Sequence, residues 1–282
     1  MGMRLLFLGD VFGKPGRSAI VTWLPGLRES WSIDCVVANC ENATQGRGIT
    51  PAHARTLLDS GIDCMTLGDH AFDQRELQGK IERMPVLRPL NYARQVPGRG
   101  WMLCETPKGS VLVIAALGQV FMKDCFDSAL PQIDDLLTRY PLGRSVAAIV
   151  LDFHCEATSE KVAAGYIHDG RVTLVAGTHT HIPTADARIL PKGTAYMTDV
   201  GMSGAYESVI GMDRELIVDR FVRGTPHGRM DAAMGQATLS GILVDSDDQT
   251  GLARCIKPVR VGGLYGDDPP AGSEDPFATT AG

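Results

Sequence analysis

The sequence lacks a membrane-length apolar run, a C-x-x-C cysteine pair, a Walker A loop, a serine-hydrolase elbow and any excess of basic charge. Each absence removes a class of function. No stretch approaches the ~20 apolar residues of a membrane span. The opening Met1-Gly2-Met3-Arg4-Leu5-Leu6-Phe7-Leu8 superficially resembles a signal peptide. Its apolar run is too short, however, and ends at Gly9-Asp10 without a small-residue cleavage site, so it reads as a buried first strand. Leu6 stands where a myristoylation signal needs Ser or Thr. The seven cysteines are odd in number and several lie in apolar strand-like runs, which indicates reduced thiols in a cytoplasmic protein. The turn Val11-Phe12-Gly13-Lys14-Pro15-Gly16-Arg17 lacks the spacing G-x-x-x-x-G-K-S/T, and Lys14 and Arg17 read as solvated charges. Ser203, in Gly201-Met202-Ser203-Gly204, lacks the spacing G-x-S-x-G. A net charge of −6 argues against a broad nucleic-acid footprint but leaves a nucleotide or short RNA open as substrate.

What remains is an ordinary globular composition, with 44% hydrophobic and 21% charged residues in 282. Strands are predicted at 4–8, 33–38 and 63–67, with a helix over 16–29. A second helix starts at Thr50-Pro51, Thr as N-cap and Pro at the first helical position. Asp73 is expected to cap a third, running to about residue 83. Continuous apolar strands joined by helices indicate a parallel sheet covered on both faces. Further along, 101–105 with 110–117 and 187–190 with 194–197 read as β-hairpins. Between and after them come helices at 128–140 and from 159, strands at 146–151 and 171–176, and two late strands at 237–244 and 252–259. The pattern predicts an α/β protein with two mixed sheets packed together and helices outside, as one domain over 1–260. The acidic, Pro/Gly-rich tail 261–282 is expected to be disordered.

The candidate chemistry lies at strand ends, where ligands bind in open α/β sheets. Gly9-Asp10, Asn39-Cys40-Glu41-Asn42, Gly68-Asp69-His70, Asp152-Phe153-His154 and Gly177-Thr178-His179-Thr180-His181 each follow a predicted strand. Carboxylate, amide and imidazole groups converging on one sheet edge would hold a metal site of more than one ion, and imidazole suits transition metals. In Gly68-Asp69-His70, Asp69 can face a metal while His70 faces a substrate as proton donor; the glycine permits close backbone approach or positive φ. His53, His168 and His227 lack such company and read as surface residues.

In this order the blocks resemble the calcineurin-like metallophosphoesterases. Leu8-Gly9-Asp10-Val11-Phe12-Gly13, Glu41-Asn42-Ala43, Asp152 to Lys161, Gly177 to His181 and Thr198-Asp199-Val200-Gly201-Met202 resemble the YmdB-like branch more closely. The resemblance implies a four-layer α/β/β/α sandwich and a dinuclear centre of divalent iron, manganese or magnesium. One ion would be held by Asp10, Glu41, Asn42 and His181, the other by Glu41, Asp69, His154 and His179, with Glu41 bridging. It further implies hydrolysis of small phosphodiesters, notably 2′,3′-cyclic nucleotides, by metal-activated water, with His70 as proton donor, in a homo-oligomer. Alternatives are a phosphomonoesterase or 5′-nucleotidase on the same centre, or a regulatory protein that binds RNA or a protein partner. The family usually has Asn where Asp69 stands, and Pro near Ala205.

Overall fold

The computed structural model describes residues 2–122, 127–224 and 230–266. In the first sheet β1 (Arg4–Leu8), β2 (Cys35–Asn39), β3 (Cys64–Thr66) and β4 (Val86–Leu87) run parallel. β12 (Ala237–Ser246) pairs antiparallel with β1, and β11 (Gly204–Ala205) and β13 (Ala253–Val261) pair with β12. The second sheet has the order β5 (Trp101–Thr106), β6 (Gly109–Leu117), β7 (Ala148–His154), β8 (Leu174–Thr178), β10 (Ala195–Met197) and β9 (Arg188–Ile189). Its outer strands β5 and β9 are antiparallel to their neighbours, as the two expected hairpins require.

Three buried cores define four layers. Leu5 and Phe7 of β1, Cys35 and Val37 of β2, Val111 and Val113 of β6, and Ala148 and Val150 of β7 fill the seam between the sheets. The alternate residues face outwards. Leu6, Leu8, Val36 and Ala38 pack with α1 (Gly13–Ser30) and α2 (Pro51–Asp59) through Ile20, Leu24 and Leu57. Leu112, Ile114, Ile149 and Leu151 pack with α3 (Leu130–Arg139) and α4 (Thr158–His168) through Ile133, Leu136 and Ala164. Both faces of these strands are buried, which is why they read as unbroken apolar runs rather than as alternating ones. Each fully buried Leu, Ile or Phe is worth ~1.5–3 kcal/mol, so the inner and outer sets fix strand register together.

The same parity builds the site. At their C-terminal ends the inward-facing positions change from apolar to polar: Asn39 ends β2, Thr66 ends β3, Asp152 and His154 end β7, and Thr178 ends β8. All five are fully buried.

Several expectations are corrected. The helix expected from Asp73 to residue 83 is two 3-10 turns, Arg75–Leu77 and Ile81–Arg83; the Asp73 carboxylate is taken by His70 Nδ1, at 3.0 Å, instead of by a helix N-terminus. β4 and α5 (Arg214–Arg223) went unforeseen. β4 has only two residues, and α5 buries only Ile217, so it shows no apolar stripe, although Asp213 caps it and Gly224 ends it at φ +69°. Arg17 is no solvated charge: its guanidinium donates to the Ala43 carbonyl and ties α1 to the loop after β2. Ser203 is buried and donates to Ser240 O. Among the described residues no helix is long and apolar enough to cross a membrane. Cys125, His227 and residues 267–282 of the expected tail lie outside the described residues.

His168 is not at the surface either. It is 1% exposed, and both ring nitrogens lack a hydrogen-bond partner. Burial, with Arg171 nearby, holds its imidazole down to about 4. The unfolded chain therefore binds a proton there that the folded chain refuses, and stability present above the ordinary histidine value falls away as pH drops towards 4. Urea unfolding from pH 7 to 4 should show a loss of up to about 3 kcal/mol that His168→Leu removes. Parallel acid limbs for the two proteins would refute this role.

Candidate metal centre

Glu41, Asp69, His154 and His179 come from the ends of β2, β3, β7 and β8, and one ligand atom from each lies within 4.8 Å of all the others. His154 Nε2 is 3.0 Å from Glu41 Oε1 and 3.2 Å from Asp69 Oδ1, and His179 Nδ1 is 3.5 Å from Asp69 Oδ1. On the other side of Asp10, His181 Nε2 is 3.6 Å from Asp10 Oδ2. Asp10 Oδ2 also accepts from the His179 amide, which joins the two sides.

The surrounding hydrogen bonds aim these groups. Thr178 Oγ1 donates to Asp152 Oδ1 at 2.6 Å, so it can accept only from His154 Nδ1, 2.8 Å away. The His154 proton is thereby placed on Nδ1, and Nε2 is turned towards the carboxylates. Thr66 and Asn39 also donate to Asp152, and Asn39 Oδ1 accepts from the Glu41 amide at 3.1 Å. His181 Nδ1 donates to Ile210 O at 2.8 Å, which leaves Nε2 for the site. Such outer partners fix tautomer and ring orientation at metal sites.

The loop carrying both histidines is strained. His179 and His181 have φ of +103° and +65°, a region that non-glycine residues rarely occupy. Asp199 holds it there: Oδ2 accepts from the Thr180 amide and hydroxyl and from Lys161 Nζ at 2.8 Å, and Oδ1 accepts from the Gly201 amide. The Lys161–Asp199 pair is completely buried. Sequence reasoning assigned no role to Asp199, Lys161 or Thr178, and took Asp73 for a helix cap. Asp199, Lys161 and Thr178 all stood in the quoted motifs, but nothing in those motifs says what each would hold in place.

Gly68 acts by close approach rather than by positive φ. A Cβ there would lie 2.3 Å from Glu41 Oε2 and 2.4 Å from His154 Nε2. His70 stands outside the buried cluster. Its Nδ1 faces Asp73, and its Nε2 is 3.9 Å from Asp69 Oδ2.

The electrostatics favour a cation. Burial alone would push His154 down, but Glu41 and Asp69 raise its imidazole well above the ordinary value. Asp69, despite burial, is held far below the usual carboxylate range by His154 and His179. Burial pushes Asp10 up to about 8, with Asp199 and Glu41 adding and His154 opposing. The side-chain oxygens Asp10 Oδ1 and Asn42 Oδ1 are buried without any hydrogen-bond partner. A buried acceptor left unpaired is costly unless something binds it, and these hard oxygen donors beside imidazoles suit divalent ions. The residues present fit such a centre.

A family model described as YmdB-like protein matches residues 6–259. The chain belongs to this family. Among relatives of this YmdB-like chain, the 2′,3′-cyclic-nucleotide 2′-phosphodiesterase of Bacillus subtilis (strain 168) is 42% identical over 260 residues, 92% of this chain and 97% of that protein. A hypothetical protein from Thermus thermophilus has a crystal structure with a TM-score of 0.86 and 39% identity, covering 93% of this chain and all of that one. A novel phosphatase from Mycoplasma pneumoniae gives a TM-score of 0.85 at 33% identity, covering 93% and 94%. The sandwich of two mixed sheets is the calcineurin-like metallophosphoesterase fold that the motifs implied.

The buried relay and ion pair make two predictions. Asp152→Ala should weaken metal affinity about 10–100-fold, read by calorimetric titration, since outer partners commonly carry that much. Unchanged affinity would remove the relay's role. Lys161→Met should cost about 3–5 kcal/mol in urea unfolding, because it leaves Asp199 buried and uncompensated.

Proposed function

We propose that this YmdB-like chain is a dinuclear metal-dependent phosphodiesterase acting on 2′,3′-cyclic nucleotides. The observation that carries the reading is the buried set Glu41, Asp69, His154 and His179, with the two unsatisfied oxygens of Asp10 and Asn42 nearby. The name and 42% identity of the Bacillus subtilis relative support the substrate class.

In this reading Asp10, Glu41, Asn42 and His181 hold one divalent ion, and Glu41, Asp69, His154 and His179 hold the other. Iron, manganese and magnesium are the candidates. A pair of such ions supplies Lewis acidity towards phosphoryl oxygens and lowers the pKa of water. His70 is the proton donor. A hydrogen on its Nδ1 is donated to Asp73, which fixes the ring and leaves Nε2 as the atom that faces the cluster. With both ring nitrogens protonated, Nε2 delivers its proton to the leaving ester oxygen and the neutral ring keeps the hydrogen on Nδ1. Residues 1–260 act as a single catalytic domain, since both sheets contribute to the ligand set. A homo-oligomeric, cytoplasmic enzyme and a short RNA as partner complete the proposal.

The test is hydrolysis of 2′,3′-cyclic AMP by manganese-loaded protein. His70→Ala should keep both ions and lose about 10²–10⁴-fold in rate, the usual worth of general acid catalysis. Glu41→Ala should lose metal and activity together. Turnover that persists in the metal-free protein would sink the proposal, and faster hydrolysis of monoesters would favour a phosphatase. Asp69→Asn, which restores the family's usual residue, removes one negative charge and should lower metal affinity, measured by the same titration.

A further inference from the structure

The segment joining β4 to β5, Arg88-Pro89-Leu90-Asn91-Tyr92-Ala93-Arg94-Gln95-Val96-Pro97-Gly98-Arg99-Gly100, has three arginines and no acid. It folds back on itself, with the Arg88 amide donating to Arg99 O and the Ala115 amide to Gly100 O. The result is a cleft of about 650 Å³ lined by Arg88, Arg94 and Arg99 together with Asn91, Tyr92 and Trp101.

Arg88 is 7% exposed, and its Nε has no hydrogen-bond partner. Its Nη1 donates only to backbone, to Pro89 O at 2.7 Å and Leu90 O at 3.3 Å. A guanidinium buried without a carboxylate is costly, and two further arginines line the same cleft. Among the described residues, neither Arg94 nor Arg99 has a side-chain hydrogen bond or ion pair. Both are exposed and free to close on a ligand. One acid, Asp127, lines the cleft, and it contributes its backbone carbonyl to Asn91. Among the described residues, three guanidinium groups thus face one carboxylate in the cleft lining.

The cleft also adjoins the backbone that carries the metal centre. Tyr92 Oη donates to the carbonyl of Gly68 at 3.3 Å, directly before Asp69 and His70. The Asn91 amide is pinned to Leu117, the register partner of His154. Guanidinium groups interleaved with aromatic rings suit a phosphate with a base beside it, and Arg is the residue of choice for phosphate.

We infer that this cleft is a subsite for a second phosphate, the chain-linking phosphate of an oligoribonucleotide whose 3′ end occupies the metal centre. The inference rests on the phosphodiesterase reading for what occupies the centre, but the cleft's own chemistry is independent of turnover. It places the protein after RNA cleavage by 2′-hydroxyl attack, the reaction class that leaves 2′,3′-cyclic ends on chains longer than one nucleotide.

The test uses manganese-loaded full-length protein and a 5′-fluorescein tetraribonucleotide ending in a 3′-phosphate, with 3′-AMP and inorganic phosphate as competitors. Fluorescence anisotropy should show the tetranucleotide binding about tenfold or more tightly than 3′-AMP. Arg94→Gln/Arg99→Gln, changed at exposed positions, should abolish that advantage and flatten the dependence of Kd on salt, which a merely structural change would not do. No tetranucleotide advantage, an advantage that survives in the double variant, or arginine-dependent binding of inorganic phosphate alone would each overturn the subsite. Arginine-dependent binding without hydrolysis of 2′,3′-cyclic AMP would leave the subsite standing and sink the activity instead. Turnover with arginine-insensitive binding would do the reverse.

Discussion

The Asp152 carboxylate is the constraint on which the rest of the site depends. It is fully buried between the two sheets, and it accepts from Thr66, Thr178 and Asn39. Burial raises its pKa, and those three donors together with His154 work against that rise. Through Thr178 it sets the tautomer of His154, and through Asn39 it reaches the backbone of Glu41. One acid placed in a dry seam thus orients groups from three strands. A half-satisfied network there would be worse than an apolar core, so the sheets must meet in one register.

Much of this arrangement was legible because it follows from strand parity. Arg4–Leu8 was read to the residue, since its apolar run is short and stops at Gly9-Asp10. Thr50-Pro51 opened α2 as expected, with Thr50 accepting from the His53 amide. The clusters at Glu41, Asp69, His154 and His179 could be noticed because each follows an apolar run, and the fold gathers these four within a few ångströms of one another.

What escaped reading acts at a distance or without an apolar signature. Asp73 looked like a helix cap because capping is a local rule, while its pairing with His70 depends on how the loop turns. Lys161 resembled any helical lysine, and only the assembled chain puts it beneath Asp199. The arginines after β4 drew no reading from the sequence. Their meaning comes from the burial of Arg88 and the return of the chain to β5, neither of which a window of sequence contains. The acidic total of the chain conceals this local basic surface, as net charge averages over patches that a ligand meets one at a time.

Gly68 carries a consequence for how such a site can drift. The room that a Cβ would occupy is already filled by an oxygen of Glu41 and a ring nitrogen of His154. Position 68 therefore has no neutral neighbours in sequence space: every single replacement, alanine included, must displace one of two groups that themselves have no free direction to move. Variation is channelled instead to the rim, where His70, Tyr92 and the arginine loop can change what is admitted without disturbing what is held.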